Sequence, residues 1–337
     1  MSKADNKTPM ERYTEDKVIL EVKHLNKQFV VDSKMRVAAK TVKAVNDVSF
    51  YIKENETFSL VGESGCGKST TGRTVLRLIS PTSGEIYYKG KDFFKLSNKE
   101  LNKERQNLQM VFQDPYTSLN PKMTVGELIE EPLIIHKIEK DKAKRVKMVL
   151  DMMEKVGLRK DQYYRYPHEF SGGQRQRIGL AKALILNPSI IVCDEPVSAL
   201  DVSIQAQILN LLADIKKEMN VSYLFISHNM SVVRYVSDRI AVMYLGHIVE
   251  VAPTEELFSN PKHPYTQALL SAVPEADPTV KKKRIELKGD IPSPIDPPSG
   301  CPFHTRCPMA RDDCKYATPT YTDINENHTV SCLLYEY

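Results

Sequence analysis

Short apolar runs alternate along the chain with longer segments whose apolar residues recur every three or four positions. The short runs predict strands at 57–61, 108–112, 190–193 and 223–226. The longer segments predict helices at 70–79, 125–153 and 202–219. The uninterrupted run at 190–193 is typical of a strand buried on both faces of a parallel sheet. The pattern therefore indicates an α/β core, with the segment at 125–153 as a helical insert between its two halves.

Two earlier segments alternate apolar with polar residues instead. Val18–Phe29 predicts a first strand that ends at Phe29, and Ala44–Ile52 predicts a second. Ile86–Tyr88, followed by a Lys89-Gly90 turn, predicts a further hairpin. Two strands ahead of the core indicate an antiparallel β subdomain.

The two ends of the chain differ from this core. Residues 1–17 are polar and charged and predict a flexible N-terminal tail. Residues 261–337 are rich in proline, which discourages regular structure, so something other than a large apolar core is expected to hold them. We therefore expect an α/β domain at 18–260, with its helical insert at about 114–171, and a small Cys/Pro-rich C-terminal extension at 261–337.

Composition and charge narrow the classes of function. No run approaches the roughly 18 consecutive apolar residues of a membrane span, and the N-terminus has no apolar signal-peptide core. The chain is therefore expected to be neither membrane-spanning nor secreted by that route. The 47 basic and 43 acidic residues leave a net charge of +4, which gives little reason to expect a nucleic-acid partner. The short basic run at 281–284 is interpreted as a solvated linker.

The strand at 57–61 leads into a loop that fits the Gly-x-x-x-x-Gly-Lys-Ser/Thr pattern. Its glycines let successive N–H groups point inward, and a helix beginning near Lys68 adds its positive N-terminal dipole to this anion site. Lys68 is expected on the β- and γ-phosphates of a nucleotide, and the Ser69 hydroxyl on Mg²⁺. The predicted nucleotide-binding residues of this loop are Gly62, Glu63, Ser64, Gly65, Cys66, Gly67, Lys68, Ser69 and Thr70. The alternative, a glycine-rich turn with an exposed lysine, is disfavoured by the strand–loop–helix order.

Polar residues follow the other core strands. Gln113 follows the run at 108–112, Asp194 and Glu195 follow 190–193, and His228 comes shortly after 223–226. Carboxylates at the carboxyl end of a central strand lie where α/β sheets bind ligands, and an apolar core would not choose two adjacent acids. A second anion-binding helix start is predicted at Ser171, Gly172, Gly173 and Gln174.

These motifs, with the run Ser198–Asp201, occur in the order and rough spacing of the ABC-transporter ATPase subunit, which the chain resembles over about residues 18–260. The Ser-Gly-Gly-Gln signature belongs to ABC ATPases and is absent from most other phosphate-loop enzymes. It is preceded by Phe170, where the commonest form has Leu, a conservative change. The resemblance implies an ABC ATPase nucleotide-binding domain: a RecA-like phosphate-loop core with the antiparallel β subdomain and the helical insert. It also implies a head-to-tail dimer in which ATP lies between the phosphate loop of one subunit and the signature helix of the other.

The resemblance also implies roles for individual residues. Ser69, Gln113 and Asp194 would organise Mg²⁺, and Glu195 would be the general base that polarises the attacking water. His228 would hold the γ-phosphate and sense its loss. Phe29 resembles the aromatic residue that stacks on adenine, although an ordinary core role is the alternative. Ser171 and Gly173 would contact the nucleotide of a partner subunit. Asp201 would link the two nucleotide sites.

More local resemblance points to the oligopeptide/dipeptide permease branch. It rests on segments 61–65, 111–121 and 260–266, and segment 78–84 with the Phe-Gln-Asp-Pro-Tyr form at Gln113 resembles the F-type ATPase more than the D-type. This implies the ATP-hydrolysing motor of an importer of di- or oligopeptides, peripheral on the cytoplasmic face of the cell membrane. Its implied partners are a D-type ATPase in a heterodimer, two integral-membrane permeases that contact the helical insert and, indirectly, an extracytoplasmic peptide-binding protein. Nucleic acid is not among them.

Two alternatives stay open. Importers of nickel and other small solutes use similar ATPases, and the cargo is chosen by subunits that are not in this sequence. A soluble ABC ATPase acting on nucleic acid is the less favoured alternative. That class would call for a long coiled-coil insertion, tandem ATPase domains or a zinc hook, whereas this chain has one ATPase domain, a short insert and near-neutral charge.

Four of the six cysteines fall in the last 37 residues: Cys301, Cys307, Cys314 and Cys332. Their spacing matches neither a Cys-x₂₋₄-Cys zinc finger nor a common ferredoxin pattern. Four thiolates can hold an iron–sulfur cluster or a structural zinc ion, and unligated thiols are the third possibility. The resemblance favours a [4Fe–4S] cluster, since peptide-importer ATPases share this array. The other two cysteines, Cys66 and Cys193, are expected only to fill space.

Overall fold

The computed structural model describes residues 18–31, 40–114, 118–274 and 284–336, so the predicted N-terminal tail and most of the basic run lie outside the described residues. The chain forms two compact units. The first comprises the residues up to Phe94 and those from His228 onward, and the second is Lys95–Ser227. The phosphate loop and the C-terminal extension therefore belong to the same unit.

The strands in chain order are β1 (Val18–Val31), β2 (Lys40–Lys53), β3 (Thr57–Val61), β4 (Ser83–Tyr88), β5 (Lys91–Asp92), β6 (Leu108–Val111), β7 (Ile190–Asp194), β8 (Ser222–Ser227), β9 (Arg239–Tyr244), β10 (His247–Pro253), β11 (Tyr321–Asn325) and β12 (His328–Ser331). The helices are α1 (Lys68–Val75), α2 (Asn98–Glu104), α3 (Val125–Ile135), α4 (Lys142–Lys155), α5 (Gly172–Leu184), α6 (Val202–Met219), α7 (Met230–Val236), α8 (Thr254–Ser259) and α9 (Pro264–Ser271).

The first unit contains the predicted antiparallel subdomain, a sheet with the strand order β2-β1-β4-β5. The predicted first two strands were too short. β1 continues past Phe29 and pairs with an earlier start of β2, where Val30 lies opposite Thr41. The predicted hairpin turn is confirmed, because Lys89 and Gly90 both have positive φ, as a tight two-residue turn requires.

The second sheet of this unit places β3, which leads into the phosphate loop, beside β9 in parallel pairing. β10 and β12 follow antiparallel, and β11 lies beyond β12. The extension thus contributes two strands, although the prolines predicted irregular structure. That prediction was correct for residues 284–311, which contain neither helix nor strand. It was wrong for α9, β11 and β12, whose only proline, Pro264, is the first residue of α9, where a helix tolerates it.

The second unit is built on the parallel strands β6, β7 and β8, with β7 in the middle. All five residues of β7 are buried, as its apolar sequence predicted. The helical insert consists of two helices rather than one continuous run, because α3 ends at Ile135 and α4 begins after the N-cap Asp141. A largely buried ion pair with an N–O distance of 2.7 Å joins the two, between Glu130 of α3 and Arg145 of α4.

Candidate nucleotide-binding site

The phosphate loop follows β3, whose five residues are all buried. Gly62 and Gly67 have positive φ, and an added Cβ would collide with the carbonyl oxygen of Met243 at Gly62 and with that of Ala44 at Gly67. Only glycine therefore fits at these two positions. Gly67 is also the N-cap of α1, so no side chain caps this helix, and its first turn contains no acidic residue. A helix start of this kind favours an anionic ligand.

The lysine of the motif forms hydrogen bonds with the backbone of this loop. Lys68 is buried, and its Nζ donates to the carbonyl oxygens of Gly62 at 2.8 Å and Glu63 at 2.9 Å. Cys66 is also buried, and burial raises the pKa of its thiol although Lys68 opposes the shift. A neutral, buried thiol agrees with the space-filling role predicted for this cysteine.

Phe29 lies on β1, and the residue is 37% exposed. The Nζ of Lys27 is 4.7 Å from the centre of the Phe29 ring, in a cation–π contact. An exposed ring on a strand is available for stacking, so the structure places Phe29 outside the core.

The second unit brings together two of the predicted catalytic residues. Asp194, the last residue of β7, is fully buried, and Glu195 follows it with φ of +46°, in the left-handed region. The Glu195 backbone N–H donates to the carbonyl of Ile226, and the Nε2 of Gln113 donates to the Glu195 carboxylate at 3.1 Å. This hydrogen bond fixes the direction of an acid at the carboxyl end of a buried strand. His228, one residue beyond β8, is exposed.

The signature motif forms the start of α5. The Ser171 hydroxyl accepts from the Gln174 N–H, and the Gln174 side chain accepts from the Ser171 N–H, which completes a capping box. Gly173 is buried, and an added Cβ there would collide with the side chain of Ile204. Ser171 is exposed, as is Asp201, the N-cap of α6. The motif therefore combines a packing requirement at Gly173 with an exposed hydroxyl at Ser171.

The four C-terminal cysteines lie near one another. The Cys301 N–H donates to the carbonyl of Cys314 at 2.9 Å. Burial raises the pKa of Cys301 to about 12 and that of Cys332 to about 11, with smaller contributions from the other cysteines of the array. Within the described ranges, however, no group of three or more His, Cys, Asp or Glu side chains is arranged to hold a metal ion. The four cysteines therefore lie close together, but their side chains are not arranged around a metal site.

Two residues at the phosphate loop were missed by the sequence predictions. Arg306 of the extension forms two hydrogen bonds with the Glu63 carboxylate, and the Tyr265 hydroxyl accepts from the Glu63 N–H. Tyr265 falls in the segment 260–266, which the sequence marks only as a family resemblance. A signal for Tyr265 was therefore present, whereas nothing in the sequence pointed to Arg306.

No helix in the described part of the chain has both the length and the apolar character needed to cross a membrane.

Comparison with known families gives two matches along the chain. Residues 45–198 match the ABC transporter family, and residues 249–314 match the C-terminal region of oligopeptide/dipeptide transporters. The first range contains the phosphate loop, Glu195 and the signature motif. The second contains Tyr265 and Arg306.

Individual relatives agree with these matches. The chain is 52% identical over 321 residues to the oligopeptide transport ATP-binding protein AppF of Bacillus subtilis, covering 94% of this chain and 97% of the relative. It is 51% identical over 321 residues to the oligopeptide transport ATP-binding protein OppF of Haemophilus influenzae, with the same coverage of both chains. Among solved structures, the ATP-binding cassette MJ0796, a dimer bound to ADP and Pi, superposes with a TM-score of 0.63 at 30% identity, covering 70% of this chain and 98% of that one.

Proposed function

The chain belongs to the ABC transporter ATP-binding subunits of the oligopeptide and dipeptide branch, and we propose that it is the ATP-hydrolysing motor for uptake of di- or oligopeptides. The observation that carries the enzymatic part is the Glu195 carboxylate, oriented by Gln113 at the end of the buried strand β7. A carboxylate that is held in one direction at such a strand end suits a general base.

In the proposed reaction, Glu195 accepts a proton from a water molecule whose oxygen attacks the γ-phosphorus of ATP. The bond from the γ-phosphorus to the bridging oxygen breaks, so that ADP leaves and inorganic phosphate forms. Lys68 and the backbone of residues 62–70 hold the phosphates, while His228 holds the γ-phosphate. Ser69, Gln113 and Asp194 would hold Mg²⁺, which would neutralise phosphate charge there. Phe29, with its exposed ring, stacks on the adenine.

The signature residues serve the nucleotide of a second ATPase subunit. Ser171 and Asp201 are exposed, which supports a role at a subunit interface, and Gly173 keeps the helix start free of a side chain. We assign the second subunit as a D-type homologue in a heterodimer. Each composite site then needs residues from both chains, so one chain alone is a poor ATPase.

The helical insert receives the permeases. Three isoleucines at the end of α3 and just beyond it are exposed: Ile134, Ile135 and Ile138. A cluster of exposed apolar side chains marks an interaction surface on an otherwise polar helix pair. This supports a peripheral location on the cytoplasmic face of the cell membrane, under two permeases that an extracytoplasmic peptide-binding protein supplies.

The cysteine array is proposed to hold a [4Fe–4S] cluster, with zinc as the alternative. Four neighbouring thiols are a chemically suitable donor set. Because they are not arranged around a common point, their side chains would have to converge on the cluster.

The experiment is reconstitution of the chain with its D-type partner and two permeases in vesicles, with the binding protein added. ATP-dependent uptake of a labelled di- or oligopeptide is expected, and Lys68→Ala is expected to abolish it. Uptake of Ni²⁺ instead of peptide would favour the second candidate cargo, and hydrolysis stimulated only by nucleic acid would contradict the transport function.

A further inference from the structure

The C-terminal extension reaches the phosphate loop through a single guanidinium. Arg306 Nη1 donates to Glu63 Oε2 at 2.7 Å, and Arg306 Nη2 donates to Glu63 Oε1 at 3.1 Å. The Arg306 side chain is only 8% exposed, and that of Glu63 is 26% exposed. Glu63 is the second residue of the Gly-x-x-x-x-Gly-Lys-Ser motif. The pair is therefore a well-shielded, two-pronged contact with the loop that is proposed to hold the phosphates.

Arg306 is itself held in place by the aromatic residue three positions before it. The Arg306 N–H donates to the carbonyl of Phe303, which closes a tight turn. The buried Phe303 ring packs edge-on against Tyr244 at the end of β9, with ring centres 5.1 Å apart, and lies 5.3 Å from the Tyr265 ring. The guanidinium therefore approaches Glu63 from a turn that is anchored in the core, and not from a mobile surface.

Tyr265, a second residue of the extension, binds the backbone of Glu63. The Glu63 N–H donates to the hydroxyl of the buried Tyr265 at 2.9 Å. Tyr265 is fixed in turn because its own N–H donates to His263 Nδ1, and burial lowers the pKa of His263 to about 4, so that the ring remains a neutral acceptor. This arrangement gives the segment 260–266 a structural purpose beyond marking the family.

Glu63 also contacts Lys68, the lysine of the motif. The Glu63 carbonyl accepts from Lys68 Nζ at 2.9 Å and from the Cys66 N–H at 3.3 Å. The side chain, N–H and carbonyl of Glu63 are thus all engaged: the first two attach the loop to the extension, and the carbonyl contributes to the curl of the loop. A change in the orientation of Glu63 would be transmitted directly to Lys68.

We propose that Arg306 is a positioning residue of the nucleotide site, which acts through Glu63 to hold the phosphate loop in the shape that binds ATP. This inference rests on the proposed function, since it assumes that the loop binds ATP. A planar guanidinium that bonds both oxygens of a carboxylate fixes its orientation as well as its position, which a lysine cannot do. A loop that is held ready in this way loses less freedom when the ligand binds.

The test is calorimetric titration of the full chain with Mg-ATP. Arg306→Ala is expected to raise Kd about tenfold and Arg306→Lys to give an intermediate value, because the charge is kept and the second hydrogen bond is lost. In the assembled transporter, Arg306→Ala should raise KM for ATP while kcat at saturating ATP stays within about twofold, since the loop shape affects binding rather than the proton transfer at Glu195.

The matched control is Arg311→Ala. Arg311 also belongs to the extension and also forms a two-pronged ion pair, with Asp313, but neither residue contacts the phosphate loop in the described contacts. Like Arg306→Ala it removes an ion pair from the extension, one that is more exposed, with side chains 36% and 38% exposed. It should leave Kd unchanged. In a Glu63→Gln background, Arg306→Ala should have less than about a twofold effect on Kd, because the route through the carboxylate has been removed.

The outcomes separate the two proposals. If the parent chain binds Mg-ATP, Lys68→Ala does not, and Arg306→Ala binds like the parent, the positioning role is overturned while the nucleotide site stands. Equal losses of Mg-ATP affinity in Arg306→Ala and Arg311→Ala would also overturn the positioning role, because they would show general destabilisation. If Lys68→Ala binds as tightly as the parent, the proposed nucleotide site fails and this inference fails with it.

Discussion

Glu250 and His328 form an ion pair in which both side chains are fully buried, with 2.8 Å between Glu250 Oε1 and His328 Nε2. The other ring nitrogen, Nδ1, lies 3.1 Å from Oε1 of Glu256. Glu250 also accepts from the backbone N–H groups of Lys262 and His263. One carboxylate on β10 therefore connects the last strand of the extension with the segment that carries Tyr265.

Replacing His328 by Gln is expected to destabilise the protein by about 3 kcal/mol, because removing one partner leaves a buried carboxylate without its counter-charge. The free energy of unfolding from urea titration checks this value. His24→Gln is the matched control, since His24 pairs with Asp47 in an exposed ion pair that contributes little. Equal losses of unfolding free energy in His328→Gln and His24→Gln would contradict a special role for the buried pair.

The same variant has a distinctive dependence on pH. Burial alone would lower the pKa of His328, but the carboxylates of Glu250 and Glu256 outweigh it, so that the pKa is raised on folding. A raised pKa contributes stability that is complete below the ordinary value for histidine, about 6.5, and is lost as pH rises through the folded value. The stability difference between the parent and His328→Gln should therefore shrink as the solution becomes alkaline. A stability difference that grows with pH would contradict a raised pKa of His328.

Local features of this fold could be predicted from the sequence. The phosphate loop, the buried strand β7 and the signature helix are set by residues within a few positions of one another. Gly157 has φ of +75° directly after Val156, the C-cap of α4, where a helix end favours glycine. These predictions succeeded because glycine conformation, capping and apolar runs act over one or two turns of chain.

Contacts between distant parts of the chain could not be predicted in this way. Arg306 and Glu63 are 243 residues apart, and neither periodicity nor spacing indicates that they meet. The pairing of β12 with β10, in which Val330 lies opposite Glu250, is also between distant segments, and the prolines of the extension gave no indication of it. The roles of Glu195, His228 and the signature residues stay predictions, because they concern a bound nucleotide and a second subunit.

Glu195→Gln should preserve Mg-ATP binding within about twofold and lower hydrolysis by the assembled transporter at least about 100-fold, since the amide keeps the shape but cannot accept the proton. Calorimetric titration and phosphate release measure the two quantities. Glu218→Gln is the control, because it neutralises an exposed carboxylate paired with Lys155 on the same unit. Normal turnover in Glu195→Gln would remove Glu195 from its role as the base.

Gly173→Ala separates packing from function in the signature motif. The added methyl group meets the side chain of Ile204 and should destabilise the protein by about 1–3 kcal/mol. Adding Ile204→Ala should relieve this collision and recover part of the stability, as thermal unfolding would show. If Gly173 also serves the partner's nucleotide, hydrolysis by the assembled transporter should stay low in the double variant. Recovery of both properties would mean that Gly173 is needed only for packing.

Ile135→Glu should weaken assembly with the permeases without changing Mg-ATP binding. Ile135 is 65% exposed at the end of α3, so a charge there is tolerated in the free chain but would be desolvated at an apolar interface. Co-purification with the permeases should fall while the melting temperature stays within a few degrees. Ile291→Glu, at another exposed isoleucine outside the insert, is the control and should assemble normally. Equal assembly by both variants would place the permease surface elsewhere.

Metal analysis of the full chain, purified without oxygen, decides what the cysteine array holds. A [4Fe–4S] cluster predicts about four irons per chain and a broad visible absorption band, both lost in Cys314→Ser. Cys66→Ser is the matched control and should keep the iron, because Cys66 lies in the phosphate loop. Loss of the cluster should also lower the melting temperature, since a metal centre that joins four points of a proline-rich segment stabilises the folded state. One zinc per chain would replace the cluster by a structural zinc site, and a metal-free chain with an unchanged melting temperature in Cys314→Ser would contradict both.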